Sequence, residues 1–215
     1  NSYFRKNGAA VKKKRKAFHF VARAGQISPY DDIFRSAGKK YDIDWRLLAA
    51  LAYQESQFNP QARSPGGALG IMQLMPETAS HLGVKNPDSV SENIHAGARY
   101  LRTLMDSFGK KAQKKEKLLM ALASYNIGHG HIADARKLAD KVGLDSDRWF
   151  GNVEKAALML KQHKYARDAR YGYFRCDFTL KFVRSVQSRF EQYVSMTKND
   201  VSSLVQNDTT SNQSP

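Results

Sequence analysis

The chain has 215 residues, one cysteine and a formal net charge of +15. Its length is enough to bury a hydrophobic core in one domain, and no apolar run is long enough to cross a bilayer. The single Cys176 excludes an internal disulfide, and it leaves an oxidising envelope and a reducing cytoplasm equally open.

The positive charge is concentrated in two blocks of basic residues, at 12–16 and 110–117. A surface of this kind attracts nucleic acid, an anionic membrane surface or an acidic cell-wall polymer. Neither block contains interleaved aromatic residues at a spacing that suits base stacking. The pattern therefore favours solvated faces and linkers, and no nucleic acid is expected as a partner.

Composition divides the chain into a folded centre and two polar ends. Residues 1–28 are basic and irregular, which predicts a linker or the remnant of a preceding domain. Residues 29–196 carry the helical patterns of one domain, and residues 197–215, rich in Ser, Asn, Gln and Asp, predict a disordered tail. Because the sequence begins at Asn1 without a signal peptide, we expect it to be part of a longer precursor.

The domain begins with two predicted helices. The first is expected over about residues 30–37 and is expected to end at Gly38. The second begins at Trp45, directly after Asp44, which is a suitable N-cap residue. No Gly or Pro interrupts its apolar spacing before Pro60.

Six more helices are predicted from apolar residues spaced three and four apart. Ser91 is the expected N-cap of the second of them. Their approximate ranges are 76–82, 91–109, 116–126, 131–142, 152–162 and 177–194. The sequence contains no internal repeat and no alternating run long enough for a major sheet. It therefore predicts an all-α domain, with at most a very small β element.

Glu55 stands near the C-terminal end of the second helix, in line with the apolar stripe of Leu48, Leu51 and Ala52. Burial beside apolar groups and the negative end of the helix dipole both disfavour a charged carboxylate there. A carboxylic acid that stays protonated near neutral pH can act as a general acid. The alternative is a polar residue that ends the stripe and faces solvent.

Most glycosidases place two carboxyl groups around the scissile bond. Asp42 and Asp44 lie at the other end of the Glu55 helix, roughly 16 Å away at the helical rise per residue. Glu77 and Glu92 stand at or near helix starts, where the helix dipole explains an acidic residue. The sequence therefore favours a mechanism with one carboxyl group.

Three short motifs occur in a characteristic order: ES at 55–56, SPGGALGIMQLMP at 64–76, and YN at 125–126. Together they resemble the soluble lytic transglycosylase domain, a lysozyme-like fold that it shares with goose-type lysozyme and that cleaves peptidoglycan. The stretch RYGYFR at 170–175 is similar to the membrane-bound lytic transglycosylase F family, in which a solute-binding-like domain precedes the lysozyme-like core. The resemblance covers about residues 30–195.

This resemblance implies a reaction and a role for Glu55. In lytic transglycosylases a single Glu protonates the oxygen between N-acetylmuramic acid and N-acetylglucosamine, and then acts as base on the muramoyl C6 hydroxyl. That hydroxyl attacks C1 and leaves a 1,6-anhydromuramoyl end without consuming water. The 2-acetamido group of the substrate stabilises the oxocarbenium-like centre. The resemblance gives the acid and base role to Glu55.

The resemblance also implies a substrate-binding set. It consists of Ser56, Ser64, Gly70, Met72, Gln73, Tyr125 and Asn126. Gly70 is expected to allow close approach of a sugar, Met72 to border the cleft, and Tyr125 to lie near the catalytic carboxyl group. From the pattern alone, Ser64 and Gln73 are equally suited to turns, and Tyr125 to a packed core.

No cofactor and no metal are implied, and His129 and His131 lack the further ligands that a metal site needs. Tyr171 or Tyr173 is a further candidate for the cleft wall, although aromatic clusters usually pack. The implied partners are peptidoglycan glycan strands, and the chain is expected to be a monomer. Membrane association is expected only through upstream segments, which implies the periplasm and outer membrane of a Gram-negative envelope.

Three other functions stay open. A goose-type lysozyme shares the fold and the Glu but adds water, so its products are heavier by one water molecule. A non-catalytic peptidoglycan-binding module keeps the fold, and the intact Glu55 argues against it. A basic nucleic-acid-binding protein is supported by charge alone, without a recognition motif.

Overall fold

The computed structural model describes residues 25–210, with side chains for residues 25–197. The chain in this part forms nine α-helices: α1 Asp31–Tyr41, α2 Trp45–Ser56, α3 Pro76–His81, α4 Val90–Asp106, α5 Lys114–Ile127, α6 His129–Lys141, α7 Glu154–Met159, α8 His163–Ala166 and α9 Asp177–Thr210. Extended pairing in the described residues is confined to two isolated bridges, Arg63 with Leu69 and Leu69 with Leu74. The prediction of an all-α domain is confirmed.

Helix α2 is the centre of this fold. The side chain of Asp44 accepts a hydrogen bond from the backbone N–H of Arg46 at 3.0 Å, as an N-cap residue does, so the predicted start of the helix is confirmed. All six residues from 47 to 52 are buried, which means that the helix is covered on every side. It packs against both α1 and α9.

Helices α4, α5 and α6 pack in sequence, α4 against α1 and α5, and α5 against α6 and α9. Their fully buried side chains include Ile94, Leu101 and Met120. None of the helices that the structure describes combines the length and the hydropathy that a membrane-spanning helix needs.

Gly38 lies inside α1, which continues to Tyr41 and is capped by Asp42 at φ +53°. A Cβ at Gly38 would lie 2.6 Å from the carbonyl oxygen of Ile43 and 3.1 Å from the Cβ of Trp45. Glycine is needed here because α1 and the start of α2 approach closely. The prediction that Gly38 ends the helix is wrong.

The N-cap of α4 is Ser89 and not Ser91. The Ser89 hydroxyl accepts a hydrogen bond from the backbone N–H of Glu92 at 3.4 Å. The Glu92 carboxylate accepts from the backbone N–H groups of Lys85 and Asn86 at 2.9 and 3.2 Å. These bonds fix the preceding loop, and the N-cap lies two residues before the expected one.

The segment between α6 and α9 is more broken than the sequence predicts. Trp149–Val153 form an irregular turn in which Gly151 has φ +70°, so the helix expected over 152–162 is reduced to α7. The short helix α8 follows in a stretch expected to be a connection.

The ends of the predicted domain differ in detail. Ile27 and Ser28, expected in the linker, are buried, and their backbone N–H groups donate to the Asp31 carboxylate at 2.9 and 2.8 Å. Helix α9 continues to Thr210, past the expected end near Val194, because no Gly or Pro occurs between 177 and 210. Residues 1–24 and 211–215 of the expected linker and tail lie outside the described residues, and the division into three parts stays a prediction.

Candidate active site

Glu55 lies in the last turn of α2, one turn beyond the fully buried Leu51 and Ala52. Its own side chain is partly buried. Burial raises the pKa of Glu55 to about 8, and no charged or hydrogen-bonding group among the described residues offsets this effect. The carboxyl group is therefore mostly protonated at neutral pH, and it can donate a proton to a bound substrate.

The glycine-rich loop that follows α2 is joined to the helix end through Ser56. The Ser56 hydroxyl is within hydrogen-bond distance of two carbonyl oxygens, that of Ile71 at 2.7 Å and that of Ala52 at 3.1 Å. Ile71 is fully buried. Ser56 thus holds the loop beside Glu55, and the sequence-based expectation of contact with substrate stays a prediction.

Asn93 on α4 is the residue on which this loop is built, and the sequence reasoning did not find it. Its Oδ1 accepts from the Met72 backbone N–H at 2.8 Å, and its Nδ2 donates to the carbonyl oxygens of Leu69 at 3.2 Å and Pro87 at 3.1 Å. Asn93 is 1% exposed, so these bonds replace water around a buried amide. A polar residue one turn before Gly97 on a buried helix face was the signal in the sequence.

Gly70 lies against the same amide. It is buried, has φ +76°, and a Cβ there would be 2.3 Å from Asn93 Nδ2 and 2.7 Å from the carbonyl oxygen of Pro87. The absence of a side chain at Gly70 therefore serves packing onto α4. This packing is enough to explain a glycine at this position, and the expected close approach of a sugar stays a prediction.

Tyr125, in the last turn of α5, is hydrogen-bonded to the loop and lies near Glu55. Its hydroxyl donates to the carbonyl oxygen of Met72 at 2.8 Å, and its ring lies 5.2 Å from that of Tyr100. Burial raises the pKa of Tyr125 well above its usual value, and the charges of Glu55 and Tyr100 add to this. Tyr125 is therefore close enough to Glu55 for the charge of Glu55 to affect the pKa of Tyr125.

Ser64 and Gln73 use their polar atoms within the loop. The Ser64 hydroxyl accepts from the Ala68 backbone N–H at 2.9 Å. The Gln73 amide donates to the carbonyl oxygens of Ala62 at 3.1 Å and Gly70 at 2.8 Å. Both therefore shape the loop, as the turn alternative proposed, while Gln73 also lines the cleft described next.

A cleft of about 260 Å³ lies between this loop and the C-terminal end of α5. Its walls are Gln73, Leu74, Met75, Thr78, Tyr100, Tyr125, Asn126, Ile127 and Gly128. A larger cavity of about 470 Å³ lies at the opposite end of α2, beside Asp44 and Leu47. The smaller cleft is lined by three of the predicted site residues, Gln73, Tyr125 and Asn126, and Glu55 is not among its lining residues.

Met72 does not border this cleft. Its side chain is fully buried and packs where a Cβ on Gly97 would come within 2.8 Å of it. Met75 is 48% exposed and lines the cleft in its place. The placement of the Met72 side chain in the cleft wall is therefore wrong, and its contribution is the backbone carbonyl that holds Tyr125.

Asn126 and the two histidines after it have structural contacts. The Asn126 side chain is exposed at the cleft, and its Oδ1 accepts from the Thr179 hydroxyl of α9 at 2.8 Å. The rings of His129 and His131 lie 5.4 Å from Phe108 and 4.6 Å from Phe174, respectively. No three His, Cys, Asp or Glu side chains of the described residues converge on a metal-sized site.

Comparison with known proteins gives three concordant findings. The family model of the transglycosylase SLT domain matches residues 32–146. The membrane-bound lytic murein transglycosylase F of Photobacterium profundum is 42% identical over 163 residues, covering 75% of this chain and 32% of the relative. The protein of the same name from Aeromonas salmonicida is 39% identical over 173 residues, covering 80% and 34%. The chain thus spans about a third of the length of these relatives.

Two solved structures share the fold. The Escherichia coli 70 kDa soluble lytic transglycosylase superposes with a TM-score of 0.51 at 24% identity, over 76% of this chain and 24% of that one. An inactive Glu-to-Gln mutant of the Pseudomonas aeruginosa lytic transglycosylase Slt also gives 0.51, at 23% identity, over 77% of this chain and 24% of that one.

Proposed function

Because the chain belongs to the transglycosylase SLT domain family, we propose that it is the catalytic part of a peptidoglycan lytic transglycosylase. The bond cleaved is that between N-acetylmuramic acid and N-acetylglucosamine, and the product carries a 1,6-anhydromuramoyl end. The relatives from two Gram-negative bacteria are named as murein transglycosylases, which supports this substrate. The observation that carries the proposal is the carboxyl group of Glu55 in the last turn of α2, whose pKa is raised to about 8 by burial.

Glu55 supplies a proton and then takes one back. As a neutral acid it donates its proton to the glycosidic oxygen as the bond to C1 breaks. The resulting carboxylate accepts the proton of the C6 hydroxyl as that oxygen bonds to C1, so Glu55 returns to its starting state. Burial alone accounts for the raised pKa of Glu55, which supports a mechanism with one carboxyl group.

The remaining residues hold the cleft in shape. Tyr125 and Asn126 form one wall through bonds to Met72 and Thr179. Gln73 contributes to the other wall. Together with Ser56 and Ser64, which fix the loop, and Gly70, which packs on α4, they are our proposed substrate-positioning set.

The net charge of +15 has a use in this proposal. Stem peptides of peptidoglycan carry carboxylates, and a cationic surface concentrates the protein on them. We propose that the protein acts in the Gram-negative envelope, in accord with the membrane-bound relatives. We further propose that it acts as a monomer on glycan strands.

Mass spectrometry of the muropeptides released from purified sacculi tests the proposal. Wild type is expected to release anhydromuropeptides, and Glu55→Gln to release them about 100- to 10,000-fold more slowly, the usual contribution of a general acid. The matched control is Glu77→Gln, an exposed acid in the first turn of α3, which is expected to match wild type.

Two outcomes would contradict the proposal. Products heavier by one water molecule would indicate hydrolysis of the goose-lysozyme type. Binding to sacculi without release by either protein would indicate a binding module.

A further inference from the structure

The segment that leads into α9 presents a row of aromatic and basic side chains to solvent. Tyr171 and Tyr173 are 51% and 55% exposed, whereas Phe174 and Cys176 are buried. Exposed and buried side chains alternate from Tyr173 to Cys176. We define the exposed row as the aromatic ledge, which comprises Arg170, Tyr171, Tyr173, Arg175 and Phe178.

Tyr171 is held by contacts with α6 on one side, and its other side is exposed to solvent. Its backbone N–H donates to the buried Asp134 carboxylate at 2.7 Å. Its ring lies on Gly130, where an added Cβ would come within 2.4 Å of the ring, and 5.8 Å from the ring of His131. A half-exposed aromatic ring that is already held in place loses little conformational entropy when it binds a ligand.

The ledge is continuous with the cleft. Asn126 and Gly128 form the end of the cleft wall, and Gly130, two residues further, lies beneath Tyr171. From the other side, Thr179 in the first turn of α9 donates to Asn126 at 2.8 Å. Chain contacts therefore connect the ledge with the cleft wall at both of its ends.

The ledge carries positive charge on two exposed arginine side chains. Arg170 and Arg175 are exposed, and the guanidinium of Arg170 lies 5.6 Å from the ring centre of Tyr171. The neighbouring carboxylates are paired with other cations, Asp168 with Lys141 and Arg167, and Asp177 with Lys161. An exposed guanidinium binds a ligand carboxylate through two parallel hydrogen bonds.

We propose that the aromatic ledge is a second binding surface for the same glycan strand, beyond the Glu55 cleft. Tyr171 and Tyr173 pack against the apolar faces of the sugar rings, and the two arginines bind stem-peptide carboxylates. The inference rests on the proposed function and names a site that the cleft residues do not include. It explains why large aromatic side chains remain exposed in this segment while their neighbours are buried.

Binding of this chain to purified sacculi, measured by sedimentation in a Glu55→Gln background, tests the ledge without turnover. Tyr171→Ala with Tyr173→Ala is expected to weaken binding about tenfold, which corresponds to about 1.4 kcal/mol. Arg170→Ala with Arg175→Ala is expected to weaken it less, and only at low salt. The matched control is Phe150→Ala, an aromatic side chain outside the ledge that is 38% exposed, with no expected change.

A second variant tests the ledge independently, in case the double-tyrosine variant does not fold. Gly130→Ala changes no exposed side chain, but its Cβ displaces the Tyr171 ring, so it is expected to weaken binding as well. Thermal melting shows whether each variant is folded. If folded double-tyrosine and Gly130→Ala variants bind sacculi as tightly as the parent, the ledge is not a binding surface.

Failure of the ledge and failure of the proposed function give different results. Anhydromuropeptide release by the Glu55-containing chain, with unchanged binding in the ledge variants, overturns the ledge alone. Absence of anhydro products overturns the proposed reaction. In that case a tenfold loss of sacculus binding would still support the ledge as a peptidoglycan-binding surface.

Discussion

The two ends of helix α2 hold one acid each, and their environments shift the two pKa values in opposite directions. Burial raises the pKa of Asp44, but the hydrogen bonds and charge of Arg46 outweigh it, so the pKa of Asp44 is lowered. Burial raises the pKa of Glu55 to about 8, with no partner to oppose it. Both side chains are partly buried, so the difference lies in the partner and in the sign of the helix dipole. The Asp44 carboxylate caps and stabilises the helix, whereas the Glu55 carboxyl group stays protonated at neutral pH.

The largest expected effect is on the pH dependence of activity. Because Glu55 must be protonated to act as an acid, kcat/KM on sacculi is expected to fall by up to about tenfold per pH unit above the pKa of about 8. Asp44→Asn, the matched change at the other end of α2, is expected to keep the same profile. A fall that begins near the ordinary pKa of a glutamic acid would show that Glu55 is not desolvated.

The next effect is on the loop that covers the Glu55 end. Asn93→Leu leaves the backbone groups of Met72, Leu69 and Pro87 without partners. We expect it to lower the free energy of unfolding by about 3 kcal/mol, measured by urea denaturation. It is also expected to shift the alkaline limit of activity to lower pH, since a loosened loop admits water to Glu55. Exposed Asn86→Ala on the preceding loop serves as a control, and an equal effect there would contradict this role.

A smaller effect is expected on stability. The folded-state pKa of Glu55 is raised from 4.5 to about 8, so the folded chain keeps a proton that the unfolded chain releases between these values. The resulting stability is complete below about pH 4.5 and is lost as pH rises through about 8. Wild type is therefore expected to lose about 2 kcal/mol relative to Glu55→Gln between about pH 5 and about pH 9, less than a fully buried group would give. Parallel stability curves of the two proteins would contradict the raised pKa.

The smallest effect is at the capped end. Asp44→Ala removes the side chain that accepts from the Arg46 N–H, and about 1 kcal/mol of stability is expected to be lost in a thermal melt. Because the lowered pKa of Asp44 contributes stability that is lost as pH falls, the gap between wild type and variant is expected to narrow in acid. Asp44→Ser, which keeps a capping oxygen, is expected to recover most of the loss. A loss of activity at constant stability would mean that the two ends are not independent.

Much of this site could be predicted from the sequence because helix periodicity and capping are local. The stripe through Leu51 and Ala52 placed Glu55 at a buried helix end, and Asp44 marked the start of that helix. In the loop, by contrast, no period indicates which side chain faces inward. Met72 and Met75 are therefore indistinguishable by pattern, yet one is buried and the other lines the cleft.

The remaining errors share one cause. Gly38 and Ser91 were assigned by their local preferences for helix ends, but contacts with other parts of the chain decide their actual positions. Asn93 was not found because its three partners lie 6 to 24 residues away in the chain. The helix pattern marks Asn93 as a polar residue on a buried face, but it does not indicate which groups its side chain binds.

The sequence by itself determined the all-α class, the helix that carries Glu55 and the resemblance to lytic transglycosylases, because these depend on short-range spacing and on ordered motifs. Only the tertiary structure decided that Asn93 supports the loop, that Met75 lines the cleft and that Tyr171 rests on Gly130. The raised pKa of Glu55 depends on both the local sequence and the tertiary structure. Its place on the helix is local, but the loop and helices that exclude water from it are brought together by folding.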